Sequence, residues 1–88
     1  MTKSDHERAA SARYSSNIAA ELARRRWSQS DLAIRTGMKL EAIRRRMRAN
    51  PRSAAVWSAR ELELVAHAFG VPMETLTRRP DSAGDAES

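Results

Sequence analysis

Lys39, Leu40, Glu41, Arg44, Arg45 and Arg48 fall on one face of a helix by its 3.6-residue period, and Arg46 completes a run of three arginines. An arginine presents a planar fork of N–H donors that can grip two acceptors at once. Charge points to the same chemistry. From Ile18 to Arg52 ten basic residues stand against three acidic ones (Glu21, Asp31, Glu41), a local balance of +7 in a chain whose net charge is +5. Residues 1–17 contribute +1, residues 53–79 nothing and residues 80–88 −3. A basic patch of this kind attracts polyanions.

Other chemistries find little to build on. Cysteine is absent, which removes disulfides and thiolate metal sites. His6 and His67 are far apart and do not make a zinc site. The serines have no histidine–acid arrangement that reads as a triad, and no glycine-rich phosphate loop is present. Asp31 and Glu41 read as helix-start charges that suit the dipole rather than as an acid–base pair. Trp27 and Trp57 read as packing residues rather than stacking platforms, and His67 as a surface or interface residue. No apolar run approaches the roughly 20 residues that span a bilayer. Met1 to Ala10 is polar and charged, unlike a secretory leader. No membrane role, metal or cofactor is therefore expected, and the expected compartment is the cytoplasm.

Four helix starts hold this surface in place. Each has an apolar residue, a cap position, and a second apolar residue five positions after the first: Trp27 with Leu32, Met38 with Ile43, Trp57 with Leu62, Val71 with Leu76. That is the spacing of a hydrophobic staple. Ser58-Ala-Arg-Glu61 is a full capping box and Ser28-Gln-Ser-Asp31 a shorter-armed one. The pattern predicts a first helix over 16–26 with its stripe at Ile18, Ala19, Leu22 and Ala23. A second covers 29–36 and ends at Gly37, where glycine takes the left-handed angle. A third spans 40–48 with Ile43 and Met47 inward. Asn50-Pro51 marks a loop. A fourth covers 59–69 and stops at Gly70, and a short fifth follows Pro72. Residues 1–14 read as a flexible tail, 15–79 as the one folded domain, and 80–88 as a disordered acidic tail.

Three stretches in this order carry a resemblance: Trp-Ser-Gln-Ser-Asp-Leu-Ala (27–33), Thr-Gly-Met (36–38) and Glu-Leu-Glu-Leu-Val-Ala-His-Ala-Phe-Gly-Val-Pro (61–72). From about Ile18 to Arg79 the chain resembles the superfamily of Cro and the lambda repressor. The resemblance implies an all-α, compact five-helix lambda-repressor-like DNA-binding domain with a helix-turn-helix formed by helices 2 and 3. Its third helix, about 39–48, would lie in the major groove of double-stranded DNA, with Ala33 as the small residue at the helix crossing.

What the resemblance implies extends to individual residues. Base reading falls to Lys39, Leu40, Glu41, Arg44 and Arg45. Arg44 or Arg45 suits guanine O6 and N7, Glu41 suits cytosine N4, and Leu40 suits a thymine methyl. Phosphate contacts fall to Ser28, Gln29, Arg48, Asn50 and Arg52, with Gln29 also bracing the recognition helix. Three positions depart from the family's pattern. Lys39 stands where a serine or threonine cap is common, and Thr36 and Arg46 stand where aliphatic residues are common. Arg46 is expected either to snorkel outward along its stem or to approach the DNA.

The function expected is therefore a sequence-specific transcriptional regulator of Cro or repressor type, bacterial or phage-encoded, that catalyses nothing. The resemblance also favours a two-fold dimer on an inverted repeat. Leu64, Ala68 and Met73 are candidates for a small contact, weak off DNA because no dimerisation domain follows Pro80. Two alternatives stand beside this reading: an antitoxin-like or other protein-interaction module, and an architectural or excision factor that binds DNA without regulating.

Overall fold

The computed structural model describes residues 3–79 and contains five helices: α1 (Lys3–Arg25), α2 (Gln29–Thr36), α3 (Leu40–Arg46), α4 (Ala59–Phe69) and α5 (Met73–Thr77). No strand occurs among the described residues, and no described helix is long and apolar enough to cross a membrane. α1 packs on α5, α2 on both α3 and α4, and α4 on α5. Ile18, Leu32, Ile43, Val65 and Leu76, one from each helix, are fully buried in a single cluster. Each such burial stabilises the fold by about 1.5–3 kcal/mol relative to exposure.

All eight residues of the four expected staples lie in or against the core. Trp57, Leu32, Ile43, Leu62 and Leu76 lie in the cluster, while Trp27, Met38 and Val71 pack against its edge. Both capping boxes form completely. Ser28 Oγ accepts from Asp31 N at 3.1 Å while Asp31 Oδ2 accepts from Ser28 N at 2.8 Å, and Ser58 and Glu61 repeat the pattern. α2 and α4 end at Gly37 and Gly70 with φ of 77° and 72°. A Cβ on either glycine would meet nothing within 4 Å, so the backbone angle alone requires glycine there.

Two boundaries and one buried stripe differ from expectation. The first helix begins at Lys3, not at Ser16, so residues 3–14 are helix rather than tail. Polar anchors, which an apolar pattern does not register, hold residues 11–17 of this helix against the rest of the fold. Ser11 Oγ, buried, accepts from Trp57 N at 2.8 Å, and Arg13 Nε donates to Thr77 O at 3.3 Å. Asn17 Nδ2 donates to Leu76 O and Arg78 O, both at 2.7 Å, and so satisfies the end of α5. Second, Ile18 and Leu22 are buried as expected, but Ala19 and Ala23 are exposed because the stripe runs through Ser11, Tyr14 and Ser15 instead. Third, α3 stops at Arg46, with Met47 as its cap, and Arg48 lies beyond it. The expected acidic tail, 80–88, lies outside the described residues, as do residues 1 and 2.

α1 itself ends without glycine. Arg26 takes φ 59°, Arg26 N donates to Ala23 O at 3.2 Å and Trp27 N to Leu22 O at 2.9 Å. These are the paired bonds of a Schellman motif. Below the turn, Glu21 is buried and binds both Arg24 and Arg25, and Arg25 Nη2 donates to Phe69 O at 2.9 Å. The α1 end is thereby tied to the α4 end.

Candidate nucleic-acid interface

Local sequence fixes the α2–α3 pair before any packing is considered. The Ser28 box starts α2 directly at Gln29. The backbone N–H of Ser28 and then its hydroxyl hold the Asp31 carboxyl below its ordinary value against an opposing effect of burial, with Arg35 adding a smaller contribution. At the other end Thr36 Oγ1 donates to Leu32 O at 2.8 Å and accepts from Met38 N at 3.2 Å. The Thr36 hydroxyl thus bridges the turn from α2 into α3. Ala33, buried, gives α2 close access to its neighbours, and its carbonyl accepts from Gly37 N at 2.9 Å.

α3 is seated by Ile43, fully buried, and by Leu40 and Met47, which pack against the core. Its cap residue Lys39 makes no side-chain capping bond, so the helix start rests on this seating. Lys39, Glu41, Arg44, Arg45 and Arg48 are exposed. Leu40, expected on the exposed face, is half-buried, and part of its side chain packs against the cluster and helps to seat the helix.

Arg46 corrects the expectation more sharply, since it goes neither to solvent nor outward with its neighbours. Nε lies 2.9 Å from Glu61 Oε1, Nη2 lies 2.8 Å from Oε2, and Nη1 donates to Ala42 O at 2.8 Å. The guanidinium carbon stands 6.0 Å from the centre of the Trp57 ring. Ser15 Oγ donates to Arg46 O at 2.7 Å and accepts from Trp57 Nε1 at 2.8 Å. α1, α3 and α4 are therefore joined by one polar network. Burial raises the Glu61 carboxyl, but the Ser58 N–H and the Arg46 guanidinium outweigh it, and the group is held below its ordinary value.

The remaining expected positions are distributed around this pair. Gln29, half-buried, opens α2, whereas the Ser28 hydroxyl is engaged in its cap. Asn50 Oδ1 accepts from Arg52 N at 3.0 Å and Asn50 O accepts from Ser53 Oγ at 3.1 Å, so Asn50 shapes the loop after α3. Ala55 N donates to Arg45 O at 3.0 Å and ties that loop back to α3. Arg48, exposed, gives one N–H to Ser53 O at 3.2 Å, and Arg52 is exposed. Trp27 stacks on Phe69 at 5.4 Å and is covered by Arg35, 4.1 Å from its ring centre, in keeping with a packing role. Ala68 and Met73 pack partly against the core, Leu64 is half-buried, and His67 is exposed.

Sequence reasoning missed the acid that Arg46 finds. A signal existed: Glu61 sits in a capping box whose cap follows Trp57, and an arginine at an inward register needs a carboxylate. Comparison with known protein families, with characterised proteins and with solved structures returned no match.

Proposed function

We propose that the protein is a sequence-specific double-stranded DNA-binding transcriptional regulator of Cro or repressor type, in which α2 and α3 act as a helix-turn-helix and α3 enters the major groove. The observation that carries this reading is the segregation of the arginines. Arg25 and Arg46 turn inward onto Glu21 and Glu61, whereas Lys39 at the cap of α3, Arg44 and Arg45 on it and Arg48 just after it stand exposed and form no ion pair with a described residue. Like charges crowded on one short helix repel, and a polyanion relieves that repulsion.

In this reading Arg44 and Arg45 bind guanine edges, Lys39 and Glu41 address neighbouring bases, and Gln29, Arg48, Asn50 and Arg52 position the backbone. Arg46 contributes the angle of α3 rather than a contact. The chain carries out no reaction and requires no cofactor.

Anisotropy of a dye-labelled duplex of random sequence, titrated at several salt concentrations, tests the reading. Binding should be tight at low salt and fall steeply as salt rises. Selection from a random duplex pool should then return a consensus. Lack of binding at low salt sinks the proposal, and binding without a consensus favours an architectural factor instead. A protein-interaction module has one observation on its side: Ile34 on α2 is 80% exposed. In that case the duplex titration would show no binding.

A further inference from the structure

The N-terminal half of α1 has no part in the reading above, yet the fold brings it to the loop that follows α3. Arg8, exposed, shares a groove with Pro51 and Arg52. A second groove adjoins it, lined by Arg8, Arg48, Pro51 and Ala55. Arg8 makes no hydrogen bond or ion pair with a described residue, and Arg48 has given up only one of its five donors. Arg46 also borders the second groove, but its charge is matched by Glu61. Among the described residues Asp5 is the one carboxylate on either groove. Three arginines from two distant parts of the sequence therefore line two adjoining grooves, and one of them, Arg48, lies two residues past the end of α3.

We propose that the first turns of α1 extend the DNA footprint: Arg8, with Arg48 and Arg52, clamps the phosphate backbone of the same duplex beyond the C-terminal end of α3. The proposal rests on the DNA-binding reading of α3. It commits to backbone phosphate because the surface carries flexible guanidinium groups, and because a duplex seated on α3 presents phosphates to whatever flanks that helix. Contacts of this kind position the protein and carry no base preference.

The test uses the full chain and the same labelled random duplex. Arg8→Ala should weaken binding at low salt and reduce the slope of log affinity against log salt by about one. Its affinity gap to the wild type should narrow about threefold as salt rises from about 50 to about 200 mM. Arg8→Lys, which keeps the charge, should restore most of the slope. Thermal melting of Arg8→Ala should match the wild type, since Arg8 holds nothing in the fold. Wild-type affinity and slope in Arg8→Ala overturn the clamp and leave the α3 reading standing. A loss that Arg8→Lys does not restore also overturns it. Absence of wild-type binding overturns both readings together.

Discussion

Arg46 and Glu61 form a two-pronged ion pair across 15 positions of sequence, with both N···O distances under 3.0 Å. Their side chains are 15% and 22% exposed, so the pair is largely shielded from water. The same carboxylate caps α4 through Ser58 N at 2.9 Å. One acid therefore starts a helix and fixes the orientation of α3 against it.

Removing either partner leaves the other charged group without its match in a half-dry site. Arg46→Met and Glu61→Gln should each destabilise the fold by about 1–3 kcal/mol. In urea denaturation the double mutant should be less destabilised than the two single effects combined, with a coupling of about 1–2 kcal/mol. Simple additivity would show that the pair contributes no interaction of its own.

Acid should expose the same pair. Glu61 is held below its ordinary value of 4.5, so in the unfolded chain the carboxyl takes up its proton first as pH falls. The stabilising contribution is therefore complete above about pH 4.5 and is lost as pH drops through the lower folded value. Arg46→Met removes two of the causes that lower the group and leaves the burial that raises it. Its stability should fall less steeply below pH 4.5 than that of the wild type. Parallel curves for the two proteins would assign the acid sensitivity elsewhere.

Much of this arrangement was legible in the chain, for reasons tied to individual residues. Ser28, Gly37, Ser58 and Gly70 act through local backbone bonds and angles, which depend on near neighbours alone, so α2 and α4 match expectation residue for residue. Arg46 was not legible, because its partner lies on another helix and only tertiary packing brings it near. The start of α1 was hidden for a related reason. Ser11 and Ser15 continue the helical spacing of Ile18 and Leu22, but they hold their positions by hydrogen bonds to Trp57. A reading of apolar periodicity passes over serines. Leu40 is a mixed case: ideal helical spacing places it on the exposed face, while its position at the first turn lets part of its side chain reach the core.

The docking of α1 is testable. Ser11→Ala leaves the buried Trp57 N–H without an acceptor and should cost about 1–3 kcal/mol. Deleting residues 1–14 removes Ser11, Arg13 and Tyr14 together and should lower the urea midpoint by more than Ser11→Ala alone. A truncated protein as stable as the full chain would mean that these residues behave as a tail after all.

Arg26 offers a change of opposite sign. A non-glycine residue at φ 59° is strained, and glycine relieves the strain while adding entropy to the unfolded chain. Arg26→Gly should stabilise the fold by about 0.5–1 kcal/mol, visible as a rise of a few degrees in Tm. Gly37→Ala imposes the converse strain at φ 77° and should destabilise by about 1 kcal/mol. A fall in Tm for Arg26→Gly would argue against this turn geometry.

The exposed arginines should divide by role once a preferred duplex has been selected. A bidentate contact to a guanine discriminates by about 1–3 kcal/mol against the wrong base. Arg44→Ala or Arg45→Ala should therefore weaken binding to the selected duplex by about ten- to a hundredfold while changing binding to random duplex far less. Arg48, just past the end of α3 and hydrogen-bonded to Ser53 O, faces the loop side, where phosphates would run. Arg48→Ala should weaken both duplexes by the same factor and lower the salt slope by about one. If Arg44→Ala and Arg45→Ala also weaken both duplexes equally, the α3 arginines supply charge alone, and base selection must come from Lys39 or Glu41.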